Sequence, residues 1–210
     1  MWITKHNILF LVLLAFFTGC AKPFYLSPDG TSIAKKHGII AILPPVVVLE
    51  HRENTTAESL KIKEKDQSKI FQQEIYTYVL KRKSKSKDDI EIQDVDETNV
   101  ILKKNGIDLS NMSVKDICET LQVDGVLSSQ FSVSKPMPIV FAFIFAFLSG
   151  ESILNQDGND VVVTLSLKDC SSESLIWKYD NEYSGNIFST PTSLVELLMR
   201  DASKRMPYFH

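Results

Sequence analysis

The chain has 210 residues, with 23 Lys and Arg against 26 Asp and Glu and a formal charge of −3. That balance argues against a broad nucleic-acid surface, and 44% hydrophobic with 10% aromatic content argues against a disordered chain. Eight Gly, eight Pro and no internal period leave nothing collagenous or solenoid-like.

Met1 to Gly19 reads as a signal sequence: Lys5 supplies the charge of a short leading region, Ile8 to Phe17 is an apolar run, and the small pair Thr18-Gly19 precedes Cys20. The run is too short for a bilayer span, which takes about 20 apolar residues, and no basic stop-transfer block follows it. The stretch Ala15-Phe16-Phe17-Thr18-Gly19-Cys20 resembles the lipobox of bacterial lipoproteins. In those proteins the cysteine thiol receives a diacylglycerol and becomes the new amino terminus, which carries acyl chains such as palmitate. The resemblance implies lipidation at Cys20 and a membrane as a partner through the N-terminal lipid. Two or more chains, at about 0.8 kcal/mol per buried methylene, anchor a protein that spans nothing. Ala21 and Lys22 follow Cys20 where a retention aspartate would stand, so by resemblance to lipoprotein sorting the expected location is the cell outer membrane, with the domain facing the periplasm.

Residues 20–36 read as a lipidated tether, with two Pro, one Gly and no sustained period. A single domain, 37–210, follows. Gly38 to Leu43 is a continuous apolar run typical of a strand buried on both faces. Pro44-Pro45 interrupts it, and because Pro45 cannot donate to a ladder, a bend or a departure from the sheet is expected there before Val46 to Leu49 resume. Thr56 to about Lys83 predicts a long helix, with Phe71, Ile75, Tyr78 and Val79 on one stripe. Ile90 to Val95 alternates as a strand, and Asp96 can cap a helix through Lys104. Ser113 can cap a third helix carrying Val114, Ile117, Cys118 and Leu121 on one face. Val123 to Val133 reads as a strand with Leu127, Ser129, Phe131 and Val133 on one side. Val161, Val163, Leu165 and Leu167 alternate with polar neighbours, and a turn at Asp169 to Glu173 leads into Leu175, Trp177 and Tyr179, which makes a hairpin with one wet face. Thr192 or Ser193 caps a final helix with Leu194, Leu197, Leu198 and Ala202 inward. The order β-α-β-α-α-β-(insert)-β-β-α predicts an α/β (α+β) fold, a mixed β-sheet with helices packed on it.

Three stretches, HGIIAILPP at 37–45, LQVDGVLSSQFSV at 121–133 and VVVTLSLKDCSSESLIWKYD at 161–180, resemble a group of exported envelope lipoproteins. The group includes the curli-secretion channel subunit, the "ILPP" lipoproteins of Gram-negative envelopes and the amino-terminal domain of the Tol-system propeller protein. The resemblance implies an α/β domain used for protein contacts and supplies no catalytic residues. Two departures stand out: Val46 to Leu49 stay apolar where a polar turn usually follows the prolines, and the insert at 136–150 is unusually apolar.

Enzyme signatures are absent: there is no GxSxG, P-loop, HExxH or GxGxxG, and no cofactor is indicated. His37 and His51 flank the first strand and, on an extended chain at ~3.3 Å per residue, cannot share a metal unless the Pro-Pro bend folds the chain back. Ser152 lacks a following Gly and a nearby base, and Asp88-Asp89 and the pair Asp157/Asp160 read as loop solvation. Cys118 and Cys170 have no metal-ligand spacing; the expectation is a small helix-core residue and a turn residue, and an exported compartment leaves a disulfide open. The basic run Lys81 to Lys87 reads as a solvated helix end that complements the helix dipole.

The anomaly is Pro136 to Gly150, PMPIVFAFIFAFLSG, uncharged from Met137 onward, with Phe141, Phe143, Phe145 and Phe147 alternating. As a helix it is apolar all round, and as a strand it is apolar on both faces, whereas a porin-like strand needs a polar lumen face. Burial under the long helix, an interfacial helix and an oligomer contact all fit it; a monomer seldom leaves so large an apolar patch in water. These four Phe are the candidate partner or membrane contact. The expectation is a non-enzymatic outer-membrane lipoprotein acting as a periplasmic assembly or interaction module, with a protein partner or homo-oligomer and no nucleic acid. The alternative is a subunit of an oligomeric secretion or translocation channel.

Overall fold

A computed structural model describes residues 24–49, 56–87, 89–134, 159–185 and 190–209. Among them, seven strands form one mixed sheet that does not close into a barrel, and five helices pack on it. The elements are β1 (Phe24–Leu26), α1 (Gly30–Ala34), β2 (Ile39–Ile42), β3 (Val46–Leu49), α2 (Ala57–Lys83), β4 (Glu91–Ile92), α3 (Val95–Lys104), α4 (Val114–Leu121), β5 (Gly125–Ser134), β6 (Asn159–Asp169), β7 (Leu175–Gly185) and α5 (Pro191–Ala202). The sheet order is β1-β7-β6-β5-β2-β4, with β3 also on β5. The β1-β7-β6-β5 part is antiparallel, while β2 and β3 run parallel to β5 and β4 runs parallel to β2.

The α/β expectation holds, and so do most of its periods. Val161, Val163, Leu165 and Leu167 are fully buried, as the alternation of β6 requires. Ile176 and Trp177 are buried in succession because the β6–β7 register slips between Leu167 and Lys168, which leaves Ile176 as a bulged residue that turns inward. Phe71 of α2 stacks on Phe131 of β5 with ring centroids 4.2 Å apart, which fixes the long helix to the middle of the sheet. Leu194, Leu198 and Met199 of α5 complete that layer. On the other face, Ile117, Cys118 and Leu121 of α4 and Leu102 of α3 cover Ala41, Leu43 and Val126 in a second, smaller core. β2 is therefore buried on both faces, as its unbroken apolar run requires.

The helix starts follow local capping. Ser113, the cap expected for α4, accepts from the backbone N–H of Asp116, and Thr56, expected only as the start of α2, caps it by accepting from that of Ser59. Asp94, not Asp96, caps α3, and Thr190, not Thr192 or Ser193, caps α5 in a reciprocal box with Ser193 that has Pro191 at the first helical position. In α5 the inward face is Leu194, Val195, Leu198, Met199 and Ala202, so Val195 and Met199 join the expected residues and Leu197 is only half-buried.

Two sequence readings need correction. The Pro44-Pro45 step does not take the chain off the sheet: β2 pairs with Gly125 to Leu127 and β3 with Gln130 to Val133 of the same strand, so the prolines only mark a jog between two segments on one partner. Residues 24–34, read as part of a tether, fold onto the domain. β1 pairs with β7, Phe24 opposite Tyr179 and Leu26 opposite Trp177, and the Arg205 guanidinium lies 4.7 Å from the Phe24 ring centre. Gly30 is required where α1 meets β7, because a Cβ there would lie 2.8 Å from the carbonyl oxygen of Ile176.

Candidate functional site

Cys20 and Phe141, Phe143, Phe145 and Phe147 lie outside the described residues, as do His51, Asp88, Ser152 and Asp157. Two features of the described chain bear on function: a buried polar cluster at one end of the sheet and an uncovered sheet face.

The cluster begins at His37, immediately before β2 and packed on the start of β5. Its Nε2 donates to Oδ1 of Asp169 at 2.9 Å, and its Nδ1 pairs with the Tyr208 hydroxyl. The three residues are 8, 4 and 3% exposed. Burial opposes the charge on Asp169, but hydrogen bonds outweigh it and hold this carboxyl well below the usual range. Ser172 donates to Oδ2 through both its hydroxyl and its backbone N–H, and His37 and Ser171 donate as well. Burial, reinforced by the charges of Asp169 and Asp124, pushes the Tyr208 phenol up, so it stays protonated and donates to Nδ1, leaving Nε2–H for Asp169. Gly125 has no freedom to change: a Cβ there would lie 2.8 Å from Nδ1 and 2.9 Å from Cε1 of the imidazole.

Beside the cluster, Cys118 of α4 and Cys170 are joined in a disulfide with Cα atoms 5.8 Å apart, which settles the pairing that spacing left open. The helix and turn positions expected for the two cysteines are both observed. A cleft of about 590 Å³ lies over the bridge, lined by Lys36, Lys115, Glu119, Asp124 and Ser171 among others. Both imidazole nitrogens are committed to buried partners, and the Ser172 hydroxyl contacts Asp169 and Ser174 but not His37, so the cluster presents no activated nucleophile. What it does is join three chain segments remote in sequence: the entry to β2, the β6–β7 turn and the segment after α5. Among the described residues, no group of three or more His, Cys, Asp or Glu is placed to hold a metal ion, and no helix is long and apolar enough to cross a membrane.

The second feature is the sheet face opposite α2 and α5. Beyond the patch covered by α3, α4 and the turn between them, nothing among the described residues covers it. Register places Val48, Ser132, Val162 and Glu182 in one row across β3, β5, β6 and β7, and Val46, Gln130, Thr164 and Asp180 in the next. Val46, Val48 and Val162 are 56, 45 and 42% exposed. Short β-branched and small polar side chains lose little rotamer freedom when a partner covers them, which favours contact.

Fold and site together define an α/β domain with a mixed sheet that the described helices cover on one face and in part on the other, an internally bonded polar lock and a disulfide. Solved structures similar to it include the lipoprotein GNA1162 of Neisseria meningitidis, at 13% identity and TM-score 0.44 over 80% of this chain and 96% of that one. The hypothetical protein CT253 of Chlamydia trachomatis is similar at 15% identity and TM-score 0.44 over 82% and 96%. The PelC dodecamer of Paraburkholderia phytofirmans is similar at 10% identity and TM-score 0.41 over 81% and 87%. No protein-family model matches the chain, and no curated protein does. At these identities and TM-scores the likenesses define neither a family nor a function.

The cluster escaped sequence reasoning because His37 and Tyr208 are 171 positions apart and Asp169 lies far from both. One local signal was available. Asp169 followed by Ser171 and Ser172 is an Asx-type turn, in which a carboxylate is expected to collect N–H and O–H donors.

Proposed function

We propose that the protein is a lipid-anchored component of the bacterial cell envelope, acylated at Cys20 and held at the outer membrane, whose periplasmic domain is a non-enzymatic assembly or interaction module. The observation that carries this reading is the sheet face that no described residue covers, with its exposed valines, set against a polar cluster whose groups are all spent on holding the chain together. A reaction centre keeps a base or nucleophile free to meet a substrate, whereas an interaction module keeps a surface. In this reading Phe141, Phe143, Phe145 and Phe147 are a contact with a protein partner, a second copy of the chain or the bilayer surface. No cofactor and no nucleic acid takes part.

The test is photocrosslinking in native envelopes from position 143 or 145, together with deletion of residues 138–148. The reading expects a specific protein or lipid adduct, and a folded deletion variant with changed sedimentation or vesicle association. No adduct, with sedimentation and vesicle association both unchanged, would remove the contact role. Conductance in planar bilayers would establish instead the alternative, a subunit of a secretion or translocation channel.

A further inference from the structure

We infer that the domain meets the bilayer end-on, through the end of the sheet at which β3, β5 and β7 finish and β6 begins, so that the cleft beside His37 faces away from the membrane. This rests on the proposed acylation of Cys20 and adds a direction to it.

The first observation is how little chain separates the lipid from the sheet. Phe24 is already paired in β1, four residues after Cys20, and four residues span at most ~14 Å. The sheet cannot stand off the membrane on a long leash. The second is direction. β1 is antiparallel to β7, so the chain preceding Phe24 leaves toward the Gly185 end of β7. Phe24 lies in the row of Tyr179 and Leu165, and Asn159 begins β6 six residues beyond Leu165, roughly 20 Å along the strand. Because Cys20 can reach no more than ~14 Å toward that end, the last row of the sheet extends at least about 6 Å beyond the acylated residue.

The third observation is where exposed apolar side chains lie. Val162 is three residues from Asn159, the first residue of β6, and Val162 and Val48, both exposed, share one row near this end. Glu64 accepts from the N–H of Leu49, the last residue of β3, so the start of α2 projects past β3 by about 10 Å, carrying Ile62, which is 58% exposed. Charge lies at this end too, as Glu182 shares the row of Val48 and Val162 and Lys61 adjoins Ile62, but the cluster of basic residues is placed elsewhere. α2 runs antiparallel to β3, as Glu64, Ser68 and Gln72 bond Leu49, Pro45 and Ile42 in turn. Its basic C-terminus, Lys81 to Lys83, therefore lies ~40 Å from its start. The end facing the bilayer carries exposed apolar and charged side chains together, and because the basic run lies at the far end of α2, contact does not depend on it.

The experiment uses the full lipidated chain in phosphatidylethanolamine/phosphatidylglycerol vesicles doped with nitroxide-labelled lipid. It compares Val162→Trp and Val48→Trp, at the proposed membrane end, with Glu119→Trp, on α4 beside the cleft. Trp177, fully buried, gives a constant background. The inference expects the two valine-site tryptophans to be quenched several-fold more than the one at 119. That quenching should persist in high salt and after Lys81, Arg82, Lys83, Lys85 and Lys87 are all replaced by Gln. Quenching equal at all three sites, strongest at 119, or absent everywhere while intact mass confirms the acyl chains would overturn the orientation and leave the anchored reading standing. An unmodified Cys20 would overturn both. Two different valine sites guard against one substitution failing to fold.

Discussion

Replacing Asp169 by Asn keeps the shape of the side chain and removes the charge at the centre of the polar lock, so it measures what the cluster is worth. The carboxylate accepts from His37 on Oδ1, and from the Ser171 hydroxyl and the backbone and hydroxyl groups of Ser172 on Oδ2 at 2.6–2.8 Å. An amide cannot match this set, because its NH₂ must face either the His37 N–H or the Ser172 donors. At least one buried donor loses its acceptor, at about 1–3 kcal/mol, and the surviving bonds lose their charge assistance. The expected loss is about 3 kcal/mol out of a total of roughly 5–15. For a domain of this size that is about 6–12 °C in Tm. Urea unfolding followed by Trp177 fluorescence reads it directly, with a lower midpoint and an unchanged slope. The pH dependence supplies a second check. The Asp169 carboxyl is depressed in the folded state, so its contribution is fully present above the unfolded value near 3.8 and is lost as pH falls toward the lower folded value. The gap between wild type and D169N should therefore hold from neutral pH down to about 4 and close below it. A variant within about 0.5 kcal/mol of wild type at pH 7, or a gap that widens in acid, would refute the assignment of a buried, hydrogen-bonded carboxylate.

Other outcomes follow from the same structure. Gly125→Ala should displace the imidazole and cost about 1–3 kcal/mol, and because the collision is gone when His37 is Ala, the double variant should lose less than the sum of the two single losses; urea midpoints of the single and double variants read both. Phe131→Ala removes one ring of the 4.2 Å stack and should cost about 3–5 kcal/mol by thermal unfolding. Cys118 and Cys170 are 52 positions apart, so Cys118→Ser with Cys170→Ser should lower stability by about 2–4 kcal/mol. That change should show as a lower denaturation midpoint that reductant no longer shifts.

The elements legible in the sequence are those whose burial has a period. Val161, Val163, Leu165 and Leu167 announced β6, the spacing of Phe71, Ile75 and Val79 announced α2, and Ser113 marked a helix start through the hydrogen bond it accepts. β1 was not legible because three residues carry no period, and their partners, Trp177 to Tyr179, lie far along the chain. The bulge at Ile176 hid for a different reason: a one-residue slip shows as two neighbouring apolar residues, which alternation assigns to opposite faces. Asp94 and Thr190 each stand next to another residue able to cap, and only the backbone decides between such neighbours. The polar lock and the disulfide depend wholly on tertiary approach, as the pairing of His37 with Tyr208 makes plain.

The proposed place and orientation both turn on Cys20, since the sheet begins four residues after it. Intact mass spectrometry of the protein extracted from native envelopes measures this directly. The account predicts a chain that starts at Cys20 and bears a diacylglycerol on the sulfur. A mature chain with a free thiol at position 20, or one that starts elsewhere and leaves the envelope in aqueous wash, would contradict it.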